Sequence, residues 1–126
     1  MTKHRYTGAT EATRNMVLER ANYRCELCNK SFIGIGMSLH HRKPRQMGGT
    51  KNPKINNASN LLAVCGSGTT GCHGKIESNR EEAYKNGHLV HSYEDPAEVP
   101  VFVYITPNMT QRVFLTDEGL YAPNLG

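Results

Sequence analysis

The amino-acid sequence predicts a mixed α+β fold, and three observations carry that expectation. Apolar residues recur at helical spacing in one early segment, and a capping signal marks a second helix further on. Short alternating or apolar runs mark strands in the middle of the chain, and β-branched and aromatic runs mark them near its end. Four cysteines fall into two pairs. The chain has 126 residues, a length that suits one hydrophobic core. With 37% hydrophobic and 21% charged residues, its composition excludes fibrous and low-complexity classes. The longest apolar runs, such as Leu61-Leu62-Ala63-Val64, are far short of the ~20 residues that cross a bilayer, and the opening Met1-Thr2-Lys3-His4-Arg5 leads into no apolar signal segment. The expectation is an intracellular chain with no membrane partner. Its formal net charge of +4 permits an anionic partner such as nucleic acid without demanding one.

The elements follow in order. Residues 1–9 carry few apolar groups and read as a flexible basic arm. From Thr10 to Tyr23, Met16, Val17 and Ala21 form an apolar stripe between charges, which predicts a helix with Thr10 as its N-cap. Arg24-Cys25-Glu26-Leu27-Cys28 is a C-x-x-C turn. Met37-Ser38-Leu39 alternates as a strand and runs into His40-His41. Pro44, Gly48-Gly49, Pro53 and the Asn-rich stretch to Asn60 make a long loop, and loops of that length in a small domain are usually functional. A second strand runs from Asn60 to Val64 into Cys65. A helix is expected from His73 to Asn79, and Ser78-x-x-Glu81 reads as the capping box of another that ends near Asn86-Gly87. Val101 to Ile105, a turn at Pro107-Asn108 and Arg112 to Leu115 read as a hairpin, with Phe102, Tyr104 and Phe114 expected in its core.

Inside a cell, reductants keep thiols from pairing, so four cysteines point to a metal. Zinc takes four tetrahedral sulfur or nitrogen ligands, arranged in structural sites as two knuckles. Cys25-x2-Cys28 is such a knuckle. Cys65-x6-Cys72 is wider than usual, but three of its six intervening residues are glycine, which allows the backbone to return tightly. The leading reading is a structural Zn²⁺ held by Cys25, Cys28, Cys65 and Cys72; unliganded cysteines or mixed Cys/His ligation is the alternative.

Taken singly, a His pair at a strand end and an Asn at the head of a strand have ordinary explanations as surface polarity and turn formation. Together, Leu39-His40-His41, Gly48-Gly49, Asn60-Leu61-Leu62 and Cys65-x6-Cys72-His73, in this order, resemble the HNH endonuclease family, in its zinc-bearing bacteriophage type. The likeness covers residues 14–80. It implies a ββα-metal (HNH/His-Me finger) core: a hairpin with the long loop between its strands, packed on a helix, with a divalent ion in the crevice. It implies that residues 10–87 form the nuclease domain and residues 88–126 a hairpin extension of it. By the same resemblance His40 is a metal ligand, His41 the general base, Asn60 the residue that fixes the loop and orients the base, and His73 a second ligand. Glu77, one helical turn after His73, is either a third ligand or a solvated carboxylate.

This chemistry suits phosphodiester hydrolysis, in which a divalent cation (Mg²⁺, Mn²⁺, Ni²⁺ or Zn²⁺) shields the phosphate and the leaving oxygen while a neutral His activates water. A neutral imidazole needs its tautomer fixed, and the expected partner is a carbonyl within the loop that Asn60 clamps. Arg42, Lys43, Arg45, Lys51 and Lys75 place positive charge around this frame and are read as contacts to DNA phosphates, against the alternative of a solvated surface. The implied partners are DNA and the DNA-packaging or other phage proteins beside which such nucleases work. A zinc-dependent DNA-binding module that keeps the fold and has lost catalysis is the rival. His4, His88 and His91 belong to no pattern and read as surface or structural residues.

Overall fold

A computed structural model describes residues 9–44 and 53–124 of the chain. The N-terminal helix α1 spans Glu11–Arg20, and its expected cap is present: Thr10 Oγ1 accepts the Thr13 backbone N–H at 3.1 Å. Within the predicted arm only Ala9 and the residue boundary at Thr10 are described, and Ala9 is half-buried against the Val17 cluster. The other residues of that arm, His4 among them, lie outside the described residues, as do Arg45 and Lys51.

Two strands form the centre. β1 (Met37–His41) pairs antiparallel with β2 (Leu61–Cys65), and His40 stands opposite Leu62 while His41 stands opposite Leu61. Because side chains alternate along a strand, the hairpin has two faces with different coverings. Leu61 and Ala63 meet Val17 and Ala21 of α1 on one face. On the other, Leu62 and Val64 meet Val101, Val103, Val113 and Leu115. β2 is buried along its whole length, as its unbroken apolar sequence requires.

Those last four residues come from a second sheet of strand order β3-β4-β5, formed by β3 (Val101–Thr106), β4 (Met109–Leu115) and β5 (Tyr121–Pro123). The hairpin was expected; the third strand was not. The expectation that Phe102, Tyr104 and Phe114 fill the core is corrected, since the alternation runs the other way. Val101, Val103, Val113 and Leu115 point inward, Phe102 is exposed, and Tyr104 and Phe114 are half-buried. Helix α2 (Gly71–Ser78) starts two residues before the expected His73, and α3 (Arg80–Lys85) follows. The cap of α3 is Asn79, whose side chain accepts the Glu82 N–H, so the expected box at Ser78 lies one residue early. Asn also caps helices well, and this register leaves Ser78 as the last residue of α2.

Two buried polar networks tie these pieces together. Arg20 grips Glu26 through Nε and Nη2, both at 2.9 Å, and also donates to the carbonyls of Ala58 and Leu61. Glu26 in turn accepts the Ala63 N–H at 2.8 Å and the Tyr121 hydroxyl at 2.6 Å. Burial works against the charge on Arg20, but Glu26 outweighs it and raises the guanidinium pKa; burial and the same carboxylate push the Tyr121 hydroxyl up. Arg42 is the second hub. Its side chain is fully buried and donates to four carbonyls: Gly87 at 2.8 Å, Ser59 at 2.8 Å, Pro96 at 3.0 Å and Val99 at 2.7 Å. Burial lowers its pKa to about 9, so it keeps its charge at neutral pH. Arg42 as a DNA contact is therefore corrected: its donors are engaged inside the fold and none faces a phosphate.

Candidate active site and metal centres

The four cysteine sulfurs lie within 4.8 Å of one another. Cys25 and Cys28 sit on a tight turn closed by Asn29 N–H to Cys25 O and Cys25 N–H to Lys30 O, each 2.8 Å, with Asn29 at φ 70°. Asn tolerates that left-handed conformation better than most residues. The wide second pair returns as the glycines allow. Gly66 (φ +92°) and Gly71 (φ +63°) press together at the neck of the excursion, and a Cβ on Gly66 would stand 2.0 Å from the Thr70 carbonyl oxygen. Backbone N–H groups point at the sulfurs, Cys65 N to Cys25 Sγ and Cys72 N to Cys65 Sγ, both 3.4 Å.

The thiols are all unpaired by disulfides, and Cys28 and Cys65 approach to 3.8 Å. A hydrogen bond from Cys72, against the effect of burial, holds the Cys25 thiol down to about 5; giving that bond pushes Cys72 up, and burial raises Cys28. Cys25 is thus the sulfur of the cluster that its neighbours most favour as a thiolate. A dication would let the rest ionise, and the donor set suits a structural metal such as zinc.

A second group of possible ligands, His40, His73 and Glu77, also converges within 4.8 Å. His40 comes from the end of β1 and His73 and Glu77 from one face of α2. The His40 and His73 rings meet edge to face at 5.3 Å. His40 Nε2 donates to the His88 carbonyl at 2.7 Å, which leaves Nδ1 as the lone-pair nitrogen. Burial, opposed by that carbonyl and helped by His73, holds the His40 pKa down to about 3. Burial likewise lowers His73, against the pull of Glu77. Both imidazoles are therefore neutral, as metal ligands must be. His73 Nδ1 is buried without a hydrogen-bond partner, which no other side-chain nitrogen or oxygen among the described residues is. Such an atom costs about 1–3 kcal/mol unless something meets it, and a cation would. Glu77 is half-exposed and carries Arg80 at 2.8 Å.

His41 points to the opposite side of β1 from His40, and its Nε2 lies 2.6 Å from Asn56 Oδ1. A carbonyl from the loop region was expected to hold it; the carbonyl is a side-chain amide, on a short 3-10 turn at Pro53–Asn56. Asn60 is fully buried and closes the neck of the long loop. Its Oδ1 accepts Lys43 N–H at 2.7 Å, and its Nδ2 donates to Ile55 O at 2.8 Å and Lys43 O at 3.2 Å. Asn60 therefore reaches His41 through the loop that carries Asn56, without touching the ring.

Of the expected basic contacts, Lys43 is half-buried and lines a cavity with Lys54, and Lys75 is exposed on α2. Asn56, and the roles of Arg42 and Glu26, were missed by sequence reasoning. Asn56 stood in an Asn-rich stretch where no single Asn is marked out. Compared with family models, curated proteins and solved structures, the chain matches none of them. No helix among the described residues is long and apolar enough to cross a membrane.

Proposed function

We propose that the chain is a metal-dependent endonuclease of the HNH type that hydrolyses DNA phosphodiester bonds. The observation that carries this reading is the convergence of His40, His73 and Glu77, with His73 Nδ1 buried and unpartnered, one strand position from a His whose tautomer is set by Asn56. In this reading β1, β2 and α2 are the ββα-metal core. His40 through Nδ1, His73 and the Glu77 carboxylate hold the divalent ion, and Cys25, Cys28, Cys65 and Cys72 hold a structural Zn²⁺.

Because the Asn56 oxygen can only accept, His41 carries its proton on Nε2 and presents Nδ1 as the base. His41 takes a proton from the water that attacks the phosphorus in line. Asn56 then stabilises the imidazolium by accepting from it, and Asn60 keeps the loop that carries Asn56 at a fixed distance. A divalent ion at His40, His73 and Glu77 would shield the phosphate and stabilise the departing 3′ oxygen. The products are 5′-phosphate and 3′-hydroxyl ends. Lys43, Lys54 and Lys75 supply sequence-independent attraction to the backbone.

Relaxation of supercoiled plasmid in Mg²⁺ or Mn²⁺ tests this. His41→Ala should cut about 10²–10⁴-fold more slowly than wild type, the usual worth of a general base. Equal cutting by the two proteins removes His41 from the role of base. DNA retained by both proteins with cutting by neither supports the binding-module alternative instead.

A further inference from the structure

A row of stacked rings lies along the surface beside the candidate metal cluster. Glu77 pairs with Arg80 at 2.8 Å, and the Arg80 guanidinium lies 6.0 Å from the centre of the Tyr84 ring. Tyr84 stacks on His91 at 4.1 Å and 7°, and His91 stacks on Tyr93 at 5.3 Å and 3°. His91 and Tyr93 flank Ser92 in a turn closed by the Glu94 N–H to the His91 carbonyl at 3.0 Å, and the turn brings their rings together. That segment is anchored at both ends by the residue next to the proposed base: Val90 N–H donates to the Arg42 carbonyl at 2.9 Å, and the Arg42 side chain holds the Pro96 carbonyl. The segment is thus tethered at both ends, and its outer ring, Tyr93, is 82% exposed. A ring kept for packing is buried; an ordered parallel stack ending in an open ring is what a planar ligand adds to.

Tyr93 also forms one wall of a cavity of about 280 Å³, whose other walls include Lys43, Lys54, Asn60, Glu94 and Asp95. Its charges are mixed. The Lys43 ammonium suits phosphate, while two carboxylates, each already accepting a backbone N–H (His91 to Glu94 at 3.0 Å, Ala97 to Asp95 at 3.0 Å), have oxygens that suit the amino groups of a base. A nucleotide carries that same pairing of anionic phosphate, flat ring and amino donors.

We propose that Tyr93 and this cavity receive one unpaired base of a DNA strand, with its phosphate over Lys43. The inference rests on the nuclease reading for its choice of DNA, and gives it a preference: single-stranded or locally opened DNA binds better than closed duplex. Stacked bases in a duplex hide their faces from Tyr93, so an unpaired base is the one that fits.

Fluorescence anisotropy with an end-labelled single-stranded oligonucleotide, and with the duplex of the same length, tests it on zinc-loaded protein without added Mg²⁺ or Mn²⁺. Wild type should bind the single strand more tightly. Tyr93→Ala should weaken that binding about 10- to 100-fold and leave duplex binding little changed, while Tyr93→Phe, which keeps the ring, should stay within about twofold of wild type. Equal wild-type affinity for the two DNAs, or a Tyr93→Ala protein that binds the single strand as wild type does, overturns the proposal. The two readings fail separately. Loss of single-strand binding in Tyr93→Ala, in a protein whose plasmid cutting does not depend on His41, keeps the base site and removes the nuclease assignment. Cutting that depends on His41, with single-strand binding indifferent to Tyr93, does the reverse.

Discussion

Replacing Arg42 with Met should unfold the protein at far lower denaturant. The guanidinium is fully buried and supplies hydrogen bonds to the carbonyls of Ser59, Gly87, Pro96 and Val99. Met fills similar space and offers none of the donors. Each buried carbonyl left without its partner costs about 1 kcal/mol or more, so four give about 4 kcal/mol, within the ~3–5 kcal/mol typical of breaking a buried charged contact. Against a total stability of ~5–15 kcal/mol, that is a large share. With a urea slope of about 2 kcal/mol/M, the midpoint should fall by about 2 M. Arg42→Lys should fall about half as far, because an ammonium cannot spread its donors over four separated acceptors. The assay is urea unfolding followed by far-ultraviolet circular dichroism at fixed free zinc. A midpoint shift below about 0.5 M for Arg42→Met, with the slope unchanged, refutes the argument, since it corresponds to less than about 1 kcal/mol, the cost of a single orphaned carbonyl rather than four. An Arg42 that served DNA would instead leave the midpoint alone and flatten the salt dependence of DNA binding.

Other outcomes follow from the same geometry. Metal analysis of purified protein should find about one firmly held zinc per chain, and a strong chelator should abolish cooperative unfolding, because structural zinc sites contribute ~10–16 kcal/mol, comparable with the whole stability. His40 titrates near 3 in the fold against 6.5 unfolded, so the unfolded chain binds more protons between those values and stability falls as pH drops through that window. The full loss is at most about 5 kcal/mol in protein without the catalytic ion, and His40→Gln should flatten that acid limb in pH-dependent urea melts. Asn60→Ala should lose about 2–3 kcal/mol, since it strips partners from Lys43 N–H and Ile55 O, and should slow plasmid cutting even where the protein remains folded.

What could be read from the sequence was whatever depends on neighbours along the chain. The Thr10 cap, the Cys25 turn, the alternation into His40-His41 and the end of α3 at Gly87 are local, and each stands where the sequence places it. The candidate ligands His40, His73 and Glu77 came from a resemblance, and the fold brings those three side chains together. Arg42 misled because a basic residue beside a proposed phosphate site looks the same in sequence whether it faces water or four carbonyls. Those carbonyls belong to residues 17 to 57 positions away, and backbone oxygens leave no mark on a sequence. The third strand, Tyr121–Pro123, is three residues long and has too few positions to show a period. His91 and Tyr93 did carry a signal, two flat side chains at spacing two, but their third partner lies on α3 and only the fold supplies it.

The hydroxyl of Tyr121 reaches a carboxylate that sits between the two cysteines of the first knuckle, across 95 positions of sequence. Synthesis runs from the N-terminus at ~5–20 residues per second, so Arg20 and Glu26 leave the ribosome well before Tyr121 does. For those seconds the knuckle carries a buried-to-be charge with one of its partners missing. The second face of the central hairpin is covered by β3 and β4, and only β5 then brings the Tyr121 hydroxyl to Glu26. A chain stopped before β5 would have made every cysteine and every proposed ligand, yet would lack the hydroxyl that completes the Glu26 network.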